Sequence, residues 1–73
     1  MEIIKRFKIA GREAAMWRFE RAMDRMRTCY AVSFSDERTG MHREPSTHSG
    51  VLSQKAALEN AKVDLAASAE VRG

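Results

Sequence analysis

The sequence predicts a small two-layer α+β domain in the order strand, helix, strand, strand, helix, with an antiparallel sheet packed against two helices. Three observations lead to this fold class: a β-branched and aromatic segment at residues 2–9, a strict alternation at residues 29–35, and helical periods at residues 12–27 and 51–69. The chain has 73 residues, which is enough for one domain with one small core. The alternative is a mainly helical chain that carries one β-hairpin.

The first predicted strand runs from Glu2 to Ile9 and is followed by Gly11. An extended conformation places Ile3, Phe7 and Ile9 on one face, and a glycine directly afterwards is typical of a turn. A helix with Ile3, Phe7 and Ala10 on one side fits nearly as well. We favour the strand because of its β-branched and aromatic residues.

The segment "AMWRFERAMDRMR" predicts a helix that ends near Arg27. At about 100° per residue its apolar side chains form one stripe, which should face the core. Trp17 lies away from this stripe, between an arginine flank and an acidic flank. The arrangement leaves Trp17 either exposed or covered by another part of the chain. The stripe contains Ala15, Met16, Phe19, Ala22, Met23 and Met26, and the flanks are Arg18, Arg21 and Arg25 against Glu13, Glu20 and Asp24.

The second half of the chain predicts a strand, a hairpin and a helix. Tyr30, Val32 and Phe34 alternate with small residues, and "SDERTGMHRE" is typical of a turn around Thr39 and Gly40 with a short return strand that ends at Pro45. "PSTHSG" is a polar linker. The last helix has a core stripe and a thinner second stripe, which either contacts a partner or reflects the helix propensity of alanine. The core stripe is Val51, Ala57, Leu58, Ala61, Leu65 and Ala69, and the second is Leu52, Ala56, Val63 and Ala67.

Charge and cysteine content restrict the class of protein. The net charge is +3, and residues 1–30 hold eight basic against four acidic residues, so the basic character belongs to the first half of the chain. Cys29 is alone, which excludes an intramolecular disulfide and favours a reducing compartment. The charged N-terminus has no apolar run long enough for a signal peptide or a membrane span. We expect a soluble, cytoplasmic protein without a membrane partner.

The candidate catalytic and metal-ligating residues do not form a recognisable motif. Cys29, His42 and His48 are too few and too widely spaced for a zinc site, which needs four ligands. A Cys29–His42 nucleophile pair is conceivable across adjacent strands, with Asp36 or Glu44 as the orienting group. Nothing in the spacing requires it, and the glycines are scattered. The sequence therefore predicts no enzyme, no metal and no cofactor.

A binding protein is the function that the sequence favours. Tryptophan and arginine dominate interface hot spots, which predicts a partner-binding set of Trp17, Arg18, Arg21, Arg25, Arg38 and Arg43. We expect the protein to occupy a surface of a larger protein or ribonucleoprotein complex of bacteria, as phage or mobile-element inhibitors such as anti-CRISPR proteins do. The alternative is a small basic nucleic-acid-binding or regulatory protein that uses its N-terminal strand and helix and its hairpin. A homodimer through the second helical stripe is a further hypothesis.

Overall fold

A three-stranded antiparallel sheet and one helix make up the fold. The structure is a computed structural model that describes residues 1–72, with side chains described up to Ala67. The elements are β1 (Glu2–Ile9), β2 (Arg12–Arg21), β3 (Arg27–Phe34) and α1 (Gln54–Arg72). The strand order is β1-β2-β3, so each strand pairs with its neighbour in the sequence. The predicted α+β class is confirmed, whereas the predicted order with two helices is not.

The helix predicted for residues 12–27 is wrong, because residues 12–21 form the central strand β2. Ala14, Ala15, Met16 and Trp17 are all buried, although neighbouring residues in a strand point to opposite faces. A strand that is covered on both faces has a continuous apolar run instead of an alternation. The run has no period of two, and alanine, methionine and arginine, which recur through residues 12–27, are good helix formers.

One face of the sheet, which we call the helix face, packs against α1. Ala14 of β2 and Ile9 of β1 are buried together with Ala61 of α1. Alanine at both contact positions lets the helix backbone lie close to the sheet. Partly buried apolar side chains surround this cluster: Phe7, Val32, Phe34, Leu58 and Leu65.

The opposite face carries a second cluster, which is formed by Phe19, Cys29 and Ala31. Residues 46–51, which we call the strap, lie over it. A Cβ atom on Gly50 would stand 2.5 Å from Cζ of Phe19 and 3.1 Å from Cβ of Cys29, so only glycine allows the strap to lie this close. Val51 then pairs with Tyr30 at the edge of β3 through backbone hydrogen bonds of 2.8 and 2.9 Å. The segment predicted as a polar linker is therefore a covering layer of the core.

The predicted return strand after the Thr39–Gly40 turn is reduced to a single bridge between Ser35 and His42. The turn itself forms at residues 36–40. The Asp36 carboxylate accepts hydrogen bonds from the backbone N–H groups of Arg38 and Thr39, and Gly40 has a φ of +72°. Because this segment makes only one bridge, it does not add a fourth strand.

The predicted strand β1 is confirmed and forms one edge of the sheet, but the prediction that Ile3 shares a face with Phe7 and Ile9 is wrong. A register shift between Ile3 and Lys5 interrupts its pairing with β2, so that Ile3 lies opposite Trp17. Ile3 therefore does not share a face with Phe7 and Ile9. Exposed basic residues and a bulge are common devices against edge-to-edge pairing.

The predicted C-terminal helix is confirmed, with bounds shifted by three residues. Ala57 and Ala61 of its core stripe are buried, and Leu58 and Leu65 are partly buried. Ala69 lies outside the described side chains. Leu52, just before α1, and Val63 of the second stripe are exposed. Within residues 1–72, no helix has an apolar stretch long enough to cross a lipid bilayer.

Candidate functional site

The turn that joins β2 to β3 combines an unusual backbone conformation with exposed apolar side chains. It contains a 3-10 turn at Ala22–Asp24, followed by Arg25 and Met26 in the left-handed region, with φ of 56° and 59°. The N–H of Arg25 donates to the Ala22 carbonyl, and that of Met26 donates to the Arg21 carbonyl. Two successive non-glycine residues with positive φ cost energy, and such strain often accompanies function.

This turn exposes two methionines. Met23 and Met26 are 68% and 57% exposed as residues, whereas Met16 in the sheet is fully buried. The helical stripe assigned Met23 and Met26 to the core, and that prediction is wrong because the helix does not form. Methionine is enriched in protein interfaces, where its flexible thioether adapts to irregular surfaces. We call residues 22–27 the tip.

The tip is also positively charged. Asp24 pairs with Arg21, which neutralises the only carboxylate of the tip. Arg25 and Arg27 are exposed, and neither has a carboxylate partner among the described residues. Two apolar thioethers thus stand beside two guanidinium groups that are available for contact.

The conformation of the tip is fixed by Arg21, whose side chain is only 17% exposed. Its guanidinium pairs with Asp24 and donates hydrogen bonds of 3.0 Å to the carbonyl oxygens of Thr47 and Gly50. The residue therefore joins the strand, the tip and the strap. Arg21 belongs to the predicted partner-binding set, but the structure gives its donors to the chain itself.

Arg18 lies on the helix face of β2, opposite Tyr30 of β3. Its guanidinium binds the Glu2 carboxylate, and this hydrogen bond and charge raise the pKa of Arg18 above its ordinary value. An open cleft beside it is lined by polar and aromatic groups from β1, β2 and β3. Its lining includes Glu2, Arg18, Glu20, Thr28 and Tyr30.

The other predicted partner-binding residues do not join the tip. Trp17 is 7% exposed, and its indole N–H donates to the Ser33 hydroxyl at 2.7 Å, so the same chain covers it. Arg38 and Arg43 are exposed in the segment after β3. The eight residues of β3 span about 26 Å, which places Arg38 and Arg43 at the opposite end of the sheet from Arg25.

The residues considered for catalysis or metal binding are dispersed. Cys29 is buried under the strap, while His42 bridges to Ser35, which lies about 20 Å away along the strand. The nucleophile pair that the sequence left open is not formed. Among the described residues, no group of three or more potential metal ligands lies together.

Comparison of the chain with protein-family models, with curated proteins and with solved structures found no match. The partner-binding set predicted from the sequence contains Arg25 of the tip but not Met23, Met26 or Arg27. The only sequence signal for the tip was the concentration of methionine and arginine in "AMDRMR", because no glycine or asparagine marks the turn.

Proposed function

We propose that this protein is a small non-enzymatic binding protein that occupies a surface of a larger protein or ribonucleoprotein complex, and that the tip makes the central contact. The observation that carries this proposal is the pair of exposed methionines on a turn held by Arg21. A fixed turn loses little conformational entropy on binding, which favours affinity.

The charge of the tip defines the chemistry of the partner. With Asp24 paired to Arg21, the tip presents Arg25 and Arg27 as uncompensated positive charges. Complementary charge accelerates association, and buried apolar contact slows dissociation. We expect the partner to offer an acidic surface around an apolar pocket. An inhibitor of a bacterial defence complex, encoded by a phage or mobile element as anti-CRISPR proteins are, is the class of protein that we propose.

A pull-down with a matched control tests the proposal. Immobilised wild-type protein, the Met23→Ser/Met26→Ser variant and the Met41→Ser variant are incubated with nuclease-treated bacterial lysate. Met41 is 71% exposed and lies after β3, so Met41→Ser is a control for the loss of an exposed methionine. We expect the tip variant to retain at least about tenfold less of a stoichiometric partner than wild type does, because each lost thioether contact costs about 1 kcal/mol of binding free energy.

Retention of the same partner by all three proteins would show that the tip is not the contact. Far-UV circular dichroism and thermal unfolding confirm that the variants are folded. Because Met23 and Met26 are exposed, neither substitution should lower the melting temperature.

Nucleic-acid binding is the second candidate, and the exposed arginines of the tip favour it. A methionine can act as an apolar wedge between base steps, and arginines contact the phosphates beside it. If this is the function, a pull-down from untreated lysate retains nucleic acid, and nuclease treatment removes it. The affinity for duplex DNA should then fall steeply with salt, whereas a flat salt response argues against this function.

A further inference from the structure

The guanidinium of Arg21 is shared between two segments that are distant in the sequence. It pairs with Asp24 of the tip on one side and binds the carbonyl oxygens of Thr47 and Gly50 of the strap on the other. The side chain is mostly buried, so water does not readily replace these partners. A change in the tip or in the strap therefore alters the environment of the Arg21 guanidinium.

The contacts of Arg21 with the strap depend on the negative charge of Asp24. Arg21 and Arg27 are paired across β2 and β3, and like charges directly opposite each other repel. Asp24 compensates this repulsion through its ion pair with Arg21. Without the carboxylate, the guanidinium loses one partner and keeps an adjacent like charge, which weakens its position beside the strap carbonyls.

The strap in turn controls access to Cys29. The thiol-bearing residue is fully buried, and Gly50 lies against Phe19 and Cys29 so closely that no larger residue fits. On the far side, Val51 is tied to Tyr30 by two backbone hydrogen bonds. Lifting the strap therefore exposes the thiol, which provides a chemical probe for strap opening.

We infer that Arg21 is a positioning residue that couples the tip to the strap, so that the two segments open and close together. This inference rests on the proposed function for its biological meaning: a partner that binds the ordered tip would also keep the strap closed. Coupling of this kind is reciprocal, so that strap opening weakens the tip to the same extent.

The first experiment changes the tip and measures the strap. The labelling rate of Cys29 by a disulfide reagent such as dithionitrobenzoate is measured in wild type, in Asp24→Asn and in Asp36→Asn. The control replaces the carboxylate that orders the turn at the other end of the sheet. We expect Asp24→Asn to label about tenfold faster, as the loss of a charged hydrogen bond implies, and Asp36→Asn to label like wild type.

Equal labelling of Asp24→Asn and wild type would overturn the inference. Faster labelling counts as local opening only if its rate depends weakly on urea, because labelling through global unfolding depends steeply on urea. A steep dependence would also overturn the inference.

The reciprocal experiment changes the strap and measures the tip. Gly50→Ala places a methyl group against Phe19 and should lift the strap. We expect faster hydrogen exchange of the Arg25 and Met26 amides, which close the tip turn. Unchanged exchange together with faster Cys29 labelling would show that the strap opens alone. If Gly50→Ala does not fold, the Cys29 labelling rates of Asp24→Asn and wild type still test the coupling. Neither experiment uses a partner, so failure of the coupling is distinguishable from failure of the pull-down.

Discussion

At the scale of single residues, the indole of Trp17 shows how one buried polar group restricts the core. Its N–H donates to the Ser33 hydroxyl on the neighbouring strand. In Ser33→Ala this donor loses its partner, which should lower the free energy of unfolding by about 1–2 kcal/mol. Urea denaturation followed by far-UV circular dichroism measures the effect. Ser35→Ala is the control, since that hydroxyl makes no hydrogen bond within the part of the chain that the structure describes. Equal destabilisation of both variants would contradict the assignment.

The methionines provide a second test at this scale. A peroxide converts a thioether to a sulfoxide and releases water or an alcohol, and the rate depends on exposure. We expect hydrogen peroxide to oxidise Met23, Met26 and Met41 while the fully buried Met16 is protected in the folded protein. Peptide mass spectrometry over time measures the four rates. Oxidation of Met16 as fast as that of Met41 would contradict the burial that we describe.

At the scale of elements, one substitution in the turn between β1 and β2 should make the protein more stable. Ile9 pairs with Arg12, and the two residues between them, Ala10 and Gly11, both have positive φ, as a type I′ turn requires. Alanine is disfavoured in this conformation and asparagine is tolerated. Because Ala10 is exposed, Ala10→Asn should stabilise the protein by about 0.5–1 kcal/mol. Thermal unfolding checks this, with Gly11→Ala expected to destabilise.

The elements also show where sequence reasoning succeeds. The alternation of Tyr30, Val32 and Phe34 predicts β3 because the other face of that strand carries small residues. The stripe of Ala57, Leu58, Ala61 and Leu65 predicts α1 because one side of the helix is exposed. The two faces differ in side-chain size in β3 and in polarity in α1, and the period of this difference is visible in the sequence.

The central strand β2 could not be predicted in the same way. Its burial on both faces depends on α1 and the strap, which lie more than 20 residues away in the sequence. Local propensity alone favours a helix there. The tip was missed for the same reason, since Met23 and Met26 fit the apolar stripe of a helix that does not form. Its left-handed residues, Arg25 and Met26, are not types that predict a turn.

At the scale of the whole molecule, the two ends of the sheet carry different arginines. Arg25 and Arg27 lie at the tip, and Arg38 and Arg43 follow the other end of β3. The variants Arg25→Glu/Arg27→Glu and Arg38→Glu/Arg43→Glu change the net charge equally. We expect only the tip variant to lose the captured partner, by about tenfold or more, since a buried charged contact contributes 2 kcal/mol or more. Equal losses would indicate that net charge, and not the tip, determines binding.

The order of the elements along the chain has a consequence for the folding pathway. All three strands lie within residues 2–34, whereas the strap and α1, which pack on the two faces of the sheet, come from residues 46–72. Pairing of neighbouring strands closes shorter loops than docking of the strap and α1 does, and shorter loops cost less entropy to close. A sheet that pairs first exposes the apolar run from Ala14 to Trp17 until the strap and α1 dock, and species of this kind are prone to aggregation.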